Sequence, residues 1–281
     1  MSNLLPIKKI YCDTKFRRAD SKSTSNFKIE LPQTLKLPDN CVFYIDDVSI
    51  PYVWHTVEAD VNDKMYFRLL SSTYVWNDYI ITLDSKTYSG TQFTAAVASK
   101  ITAATSGAVV TASYDTQSQM MSISVSNLEF YIFTDEDMKN PLMLSFWNGS
   151  VPYDVNNLNS VNELITNVSL PSPNGTTAEP AKYHLMLTPV RNIYMRSPNM
   201  SSFNTIGCNG ESSIIKKLPV NAPPGDMITS YITSSTDYLS CSRATWKSLE
   251  FIISDVNGTE IPLHGVNWSF SILLDIANPN I

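Results

Sequence analysis

The chain has 281 residues, 43% of them hydrophobic and 11% aromatic, which is enough to fill one large core or one core with an insertion. This composition excludes wholesale disorder. Only 16% of the residues are charged and the formal net charge is −6, so the chain lacks the positive field needed to wrap nucleic acid. A surface rich in hydroxyl and amide groups suits a protein that packs against neighbours, and it is equally typical of all-β proteins.

The first 25 residues are polar and rich in lysine and arginine, including Arg17 and Arg18. We predict that residues 1–25 form a basic N-terminal arm. Such a run of charge can contact nucleic acid or an acidic partner, or simply be solvated. The solvated arm is the default interpretation.

The four cysteines are far apart in the sequence, with no pair at the spacing of metal ligands: Cys12, Cys41, Cys208 and Cys241. We predict free thiols in a reducing compartment. The apolar run near the N-terminus is too short for a signal peptide, and no stretch of about twenty apolar residues occurs. We therefore expect a soluble protein made inside the cell, without a membrane span.

The segment 26–72 is predicted to contain only strands. Phe27, Ile29 and Leu31 alternate with charged residues, the pattern of a half-buried strand. Residues 41–53 are rich in aromatic and β-branched residues, and a further strand begins at Met65.

Residues 73–147 have a different pattern and are predicted to form a small α+β insertion domain. A strand at 79–83 precedes a helix whose apolar residues recur at helical spacing, with Ser89 or Thr91 at its start and Gly107 at its end. Three short strands are predicted to follow, at 109–114, 120–125 and 130–133.

Residues 148–181 are rich in Asn, Pro and Ser and are predicted to be a loop or linker with one short element at 161–168. Strands resume in 182–281, where the Asn257-Gly258 pair favours a type I′ hairpin between strands at 249–254 and 261–263. Eight or nine strands lie outside the insertion. The predicted fold is mainly β: a single jelly roll, an eight-stranded antiparallel β-sandwich formed by 26–72 and 182–281.

No constellation of catalytic residues is present in the sequence. The histidines are far apart, and there is no nucleophile elbow and no phosphate-binding glycine motif. The acidic run at 134–137 could hold a divalent cation, but a solvated turn is the favoured interpretation. The sequence predicts no catalytic, cofactor-binding or metal residue, and no enzyme. Exposed tryptophans would favour the alternative of a receptor- or carbohydrate-binding β-sandwich, although core filling is their default role.

The segments NIYMRSPNMSSFNT, SSIIKKLPVNAPPGDMI and LEFIISDVNGTEIPLHGVNWSFSILL resemble the penton or minor capsid proteins of virophages, Polinton/Maverick elements and related Polinton-like or adintovirus-like viruses. The strands NFKIELP and VSIPYVW and the unit YSGTQFTAAVASKI extend the resemblance over most of the chain. The resemblance implies a virion protein, made and assembled inside the host cell, that stands as a homopentamer at each fivefold vertex and joins double-jelly-roll major capsid proteins.

In such a shell the insertion would project outward to a host receptor, and the basic arm would point to the capsid floor or genome. The residues predicted to form the subunit interface lie in the arm and in the central loop of 191–224: Arg17, Arg18, Tyr194, Arg196, Asn199 and Phe203. An interface of this kind is expected to be extended and rich in apolar area.

Overall fold

The computed structural model describes residues 8–70, 75–106, 108–125, 128–133, 164–167, 180–200, 205–208, 210–230 and 237–276. The chain divides into two compact units. The first, called the sandwich unit, comprises Met1–Trp54 and Val190–Ile281, and the second, called the inserted unit, is the continuous segment His55–Pro189.

The described elements follow one another in chain order as β1 (Lys8–Asp13), β2 (Asn26–Lys36), β3 (Cys41–Pro51), β4 (Lys64–Leu70), β5 (Trp76–Thr82), α1 (Gly90–Ala104), β6 (Val110–Asp115), β7 (Met120–Val125), β8 (Phe130–Ile132), β9 (Ile165–Asn167), β10 (Ala181–Leu185), β11 (Asn192–Arg196), β12 (Ile214–Pro219), β13 (Met227–Ser230), β14 (Leu239–Ser240), β15 (Thr245–Ser254) and β16 (Ser269–Ile276). Among the described residues, no helix has the length and apolar character that crossing a membrane requires.

The sandwich unit contains two antiparallel sheets. One has the order β1-β16-β3-β13, with β14 also paired to β3, and the other has the order β12-β11-β15-β2. Because β13 and β14 pair with successive parts of the same edge of β3, each sheet has four rows of strands. The result is the jelly-roll β-sandwich predicted from the sequence.

The core of the sandwich unit is formed by the inward-facing residues of both sheets. Phe27 is fully buried, and its ring lies 5.5 Å from Phe251 and 5.5 Å from Trp268, centroid to centroid. Phe270 completes the cluster at 4.9 Å from Phe251. Each fully buried side chain of this size stabilises the fold by about 1.5–3 kcal/mol.

The N-terminal segment is not the free arm that the sequence predicted. Strand β1 pairs with β16 along its whole length, from Lys8↔Leu274 to Asp13↔Ser269. Ile10 and Cys12 turn inward and pack on the core, since alternate residues of a strand face the same side. The sequence interpretation missed this strand because the alternation is short and the surrounding N-terminal residues are polar. Residues 1–7 lie outside the described residues.

The inserted unit contains the helix and strands expected from the sequence. Strands β6 and β7 form a sheet with β10 and β9, and β5, β4 and β8 form another. Helix α1 buries Phe93, Val97 and Ile101 in the core that both sheets line. The helix begins with a capping box, in which the Ser89 side chain accepts from the N–H of Gln92 and the Gln92 side chain accepts from the N–H of Ser89.

The boundaries between the units differ from those expected. Strand β4 was assigned to the jelly roll, but it pairs with β5 and β8. Strand β10 pairs with β7 and β9, which places residues 181–185 and 165–167 in the inserted unit. Strand composition indicates that a strand forms, whereas its partner is decided by packing between segments distant in sequence. Gly107 and most of 148–181 lie outside the described residues, and Thr105 is the C-cap of α1.

The hairpin after β15 also differs from its expected form. A type I′ turn needs positive φ at both central residues, but only Gly258 has it, with φ 90°, and Asn257 does not. Gly258 N–H donates to Asp255 O at 3.3 Å, and Asp255 N–H donates to Thr259 O at 2.9 Å. This is the longer loop in which a turn is closed by a left-handed glycine. Beyond it a single bridge at Glu260 replaces the strand predicted at 261–263.

Candidate subunit interface

Two of the predicted interface residues lie on the outer face of β11. Ile193 and Met195 are fully buried, so the alternation of the strand turns Tyr194 and Arg196 away from the core. Both outward side chains are half-buried. The loop that precedes β12 and the hairpin that follows β15 lie beside them.

Arg196 joins three segments of the sandwich unit. Its Nη1 donates to Glu211 Oε1 at 2.7 Å and its Nε to Ser254 Oγ at 2.7 Å. Its Nη2 donates to Val256 O at 3.4 Å. The exposed fractions of the Arg196 and Glu211 side chains are only 11% and 21%. Arg196 therefore shapes this end of the sandwich rather than projecting from it as a charge.

A groove of about 340 Å³ opens next to this network, between β12 and the residues leading into β14. Lys216 of β12 spans it, with its Nζ at 2.8 Å from Asp237 Oδ2 and its side chain only 7% exposed. Ile206, 83% exposed, stands on the rim, and Tyr194 forms part of the wall. We call this surface the β12–β14 side.

Asn199 has a structural role in the described fold. Its side-chain Oδ1 accepts a hydrogen bond from the backbone N–H of Glu250 in β15 at 2.8 Å. It thereby fixes the short 3₁₀ turn of Pro198–Met200 against the sheet. Phe203, the remaining predicted residue of this loop, lies outside the described residues.

Arg17 and Arg18 lie near β2, at the other edge of the four-stranded sheet from β12. Arg17 Nη1 donates to Thr14 O at 3.0 Å, while Arg18 is paired with Asp20 at 2.9 Å and Glu30 at 3.3 Å. The hydrogen bond and charge of Arg18 lower the pKa of the Asp20 carboxyl. The predicted residues that the structure describes thus do not form one site, because Arg17 and Arg18 lie near the β2 edge, whereas Tyr194 and Arg196 lie near the β12 edge.

The sequence interpretation missed the groove on this second side. A depression of about 400 Å³ lies between β1 and β2, with Tyr11 and Phe16, 76% and 79% exposed, among its lining residues. A smaller depression of about 230 Å³ continues it and shares Leu31 and Pro32. We call this surface the β1–β2 side. The alternation of Ile10, Tyr11 and Cys12 was the sequence signal that could have identified β1 and its outward-facing Tyr11.

A bulge in β2 shapes the β1–β2 side. Glu30 pairs with Ser248 and Leu35 with Trp246, so residues 31–34 stand opposite Lys247 alone. Lys247 Nζ donates to Leu31 O at 2.7 Å and holds the bulge in place. Pro32 fits here, since proline lacks an N–H and is tolerated at edges and bulges.

The polar cluster at the start of the inserted unit is used for backbone hydrogen bonds. His55 N–H donates to Glu58 Oε1 at 2.6 Å, and Glu58 N–H donates to Asn62 Oδ1 at 2.7 Å. Asn62 Nδ2 donates to Thr56 O at 3.1 Å. These bonds close the loop 55–62 and account for the burial of a carboxylate there. The acidic turn at 134–137 lies outside the described residues.

The exposure of the tryptophans is relevant to the alternative function of carbohydrate binding. Trp54, Trp246 and Trp268 are buried in the sandwich core. Trp76 of the inserted unit is 38% exposed, and the guanidinium carbon of Arg68 lies 5.6 Å from its ring centroid. Trp147 lies outside the described residues.

The fold of this chain is similar to that of a solved structure. No family model matches the chain, and no curated protein matches it either. Among solved structures, the crystal structure of the mavirus penton protein matches with a TM-score of 0.51, covering 96% of this chain and 100% of that one. The chain shares the fold of the mavirus penton protein. The identity is 10%, so the likeness is one of fold, and its coverage extends over both the sandwich unit and the inserted unit.

Proposed function

We propose that this chain is a structural capsid protein, a penton that forms the fivefold vertices of an icosahedral virus shell. The observation that carries the proposal is the likeness to the mavirus penton protein over 96% of the chain. A likeness limited to the jelly roll would be weak support, because many unrelated proteins use that architecture. Here the coverage includes the inserted unit as well.

The two sides of the sandwich suit a closed ring. In a ring of identical subunits each contact joins two different surfaces, one on each neighbour. The β1–β2 side carries the projecting side chains of Tyr11 and Phe16, and the β12–β14 side carries a groove with Ile206 on its rim. We propose that these sides meet in a homopentamer. Arg17 and Tyr194 are then peripheral contacts, and Arg196 and Asn199 hold the contact loops in shape.

A position at the vertex also suggests partners other than the identical subunits. We propose that the outside of the pentamer contacts the major capsid protein and that the inserted unit is presented to the host. A catalytic role is not part of this proposal. Four of the basic residues at 8–30, Lys9, Arg18, Lys22 and Lys28, have carboxylates beside them in the folded sandwich. A protein partner suits this mixed surface better than the genome does.

Electron microscopy and native mass measurement of the purified chain test the proposal. We expect five-subunit rings, formed alone or on addition of the major capsid protein. Replacing Tyr11 and Phe16 together with Ser should reduce ring formation at least tenfold while leaving the fold intact. Val109→Ser is a matched control, because Val109 is a 65% exposed apolar residue of the inserted unit. A stable monomer that never enters particles would contradict the proposal.

The alternative function is receptor or carbohydrate binding by the β-sandwich protein. The partial exposure of Trp76, at 38%, is the observation that favours it. A glycan array and a host-cell binding assay with the chain and its Trp76→Ala variant test this role. Binding that is lost in the variant would add an attachment function to the vertex, whereas absence of binding would remove the alternative.

A further inference from the structure

Two cysteines that are 200 positions apart in sequence face each other in the sandwich unit. Strand β14 pairs with β3 through Leu239↔Phe43 and Ser240↔Val42. The next position in this antiparallel register sets Cys241 opposite Cys41. The backbone hydrogen bonding is consistent with this register, since Cys241 N–H donates to Cys41 O at 2.9 Å.

This arrangement meets the distance requirement of a disulfide. In a hydrogen-bonded antiparallel pair the Cα atoms are about 5.5 Å apart. Disulfides span Cα separations of about 4.4–6.8 Å, with about 5.5–6 Å most common. Directly opposite residues also place their side chains on the same face of the sheet.

The side chains of the two cysteines meet in the core. Cys41 is 0% exposed and Cys241 is 7% exposed, and both are free thiols that pack in the core of the sandwich unit. Burial is the main cause that raises the pKa of each thiol, and the other thiol is a smaller influence on it. The other cysteines differ in position. Cys12 stands opposite Phe270 in the β1–β16 ladder, and Cys208 is exposed in the loop before β12.

We propose that Cys41 and Cys241 are a disulfide-forming pair, reduced when the protein is made and joined by oxidation once the folded chain enters an oxidising medium.

The bond would link two connections that run between the sheets. Residues 37–40 lead from β2 in one sheet to β3 in the other, and residues 241–244 lead from β14 to β15. The connections already pair through Leu37 N–H to Ala244 O at 2.9 Å and Arg243 N–H to Pro38 O at 3.3 Å. The covalent loop would contain the whole inserted unit, and long closed loops restrict the unfolded chain most.

The oxidant is a small-molecule disulfide, for which oxidised glutathione is the probe. The Cys241 thiol, the more exposed of the two, gives up its proton and attacks one glutathione sulfur, which releases one molecule of reduced glutathione. The Cys41 thiol gives up its proton and attacks the Cys241 sulfur of the mixed disulfide, which releases the second. Two thiols are oxidised and one glutathione disulfide is reduced. Since the thiolate is the attacking species, the rate should increase with pH.

The test uses the full chain carrying Cys208→Ser, which removes the exposed thiol. After incubation with oxidised glutathione, peptide mass mapping without reductant should show the Cys41 and Cys241 peptides joined. The melting temperature should increase by about 10 °C, as expected for closure of a long loop. Reductant should reverse both changes. The matched controls, Cys208→Ser combined with Cys41→Ser or with Cys241→Ser, should show neither change.

A second measurement addresses the case in which glutathione reaches the buried thiols too slowly to oxidise them. The same chain is oxidised with diamide in urea below its unfolding midpoint, where β14 opens more often. A joined pair in either experiment supports the proposal. Two alkylatable thiols at positions 41 and 241 after both treatments would overturn it, as would a bond from either residue to Cys12.

Discussion

The sandwich unit and the inserted unit differ in how far along the chain their paired strands lie. Strand β16 pairs with β1 and β3, and β15 pairs with β2, so the sheets of the sandwich unit join the two ends of the chain. The inserted unit is the continuous segment His55–Pro189, and its described strands pair within that segment. The strand pairings of the inserted unit are therefore shorter in range than those of the sandwich unit, which predicts that the inserted unit folds faster.

The cores of the two units also differ. The sandwich core has an aromatic cluster around Phe27, while the inserted unit buries one face of a helix around Phe93. The units therefore provide matched positions at which the same substitution can be compared. If the units unfold independently, each substitution changes only its own transition.

The largest expected effects come from these two phenylalanines, which are both 0% exposed. Phe27→Ala should destabilise the sandwich unit, and Phe93→Ala the inserted unit, by about 3–5 kcal/mol each, because each leaves a cavity in a packed core. Urea unfolding followed by hydrogen exchange of each unit measures the change. Equal loss of protection in both units for either variant would mean that they unfold as one.

Two half-buried ion pairs allow a comparison of smaller effects. Arg196–Glu211 lies in the sandwich unit at 2.7 Å, and Arg68–Asp78 joins β4 to β5 in the inserted unit at 2.9 Å. Replacing either arginine with Ala should cost about 1–3 kcal/mol, since a half-buried carboxylate then loses its charged partner.

Lys22→Ala is the control for these variants. Lys22 is 74% exposed in its pair with Glu260, so its replacement should change the free energy of unfolding by less than about 0.5 kcal/mol. Urea titration of all three variants makes the comparison. A loss for Lys22→Ala as large as for the two arginines would show that burial does not decide the effect.

The stability of the two units should also respond differently to alkaline pH. Burial raises the pKa of the Cys12 thiol to about 12 from an ordinary 9.0, so above pH 9 the unfolded chain loses this proton first. Stability is fully present below pH 9 and falls toward pH 12, by up to about 1.4 kcal/mol per pH unit for each such thiol. All four cysteines lie in the sandwich unit.

In the inserted unit burial raises the pKa of Tyr88 and Tyr183 above the ordinary 10.0. The stability of the inserted unit should therefore begin to fall about one pH unit above the point at which the sandwich unit begins to lose stability. Urea unfolding at pH 8, 9 and 10 with reductant measures the difference, and Cys12→Ala should reduce the slope for the sandwich unit. An earlier loss in the inserted unit would contradict this account.

The smallest effects are expected at two turns with left-handed residues. Gly258 has φ 90° in the hairpin after β15, so Gly258→Ala should cost about 1 kcal/mol. Gln119, between β6 and β7, has φ 56°, and Gln119→Gly should be neutral or stabilise the inserted unit by up to about 1 kcal/mol. Thermal unfolding should show a lower melting temperature for Gly258→Ala and an unchanged or higher one for Gln119→Gly. Destabilisation by both would argue against backbone strain as the cause.

Local signals explain which parts of the fold were predictable. The sequence predicted helix α1 and its buried face and gave Ser89 as one of two candidate caps, because spacing and capping act within a few residues. Strands β6, β7 and β8 also lie close to their predicted positions. Strand β1 was missed because its inward residues, Ile10 and Cys12, lie among lysines.

The candidate interface was less predictable than the fold. The sequence led to Arg17, Arg18, Tyr194, Arg196 and Asn199, but the charged groups of Arg18 and Arg196 are used for pairing within the unit. The exposed Tyr11 and Phe16 were not identified, since exposure depends on which strands become edges.

The sequence by itself determined the jelly-roll class and the presence of a helix-bearing insertion, because both follow from local periodicity and composition. Only the tertiary structure decided that β4 and β10 belong to the inserted unit and that β1 closes the edge of a sheet. It alone brought Cys41 opposite Cys241. The physical reason is that strand pairing depends on the burial and registration of segments far apart in the chain, which no local pattern encodes.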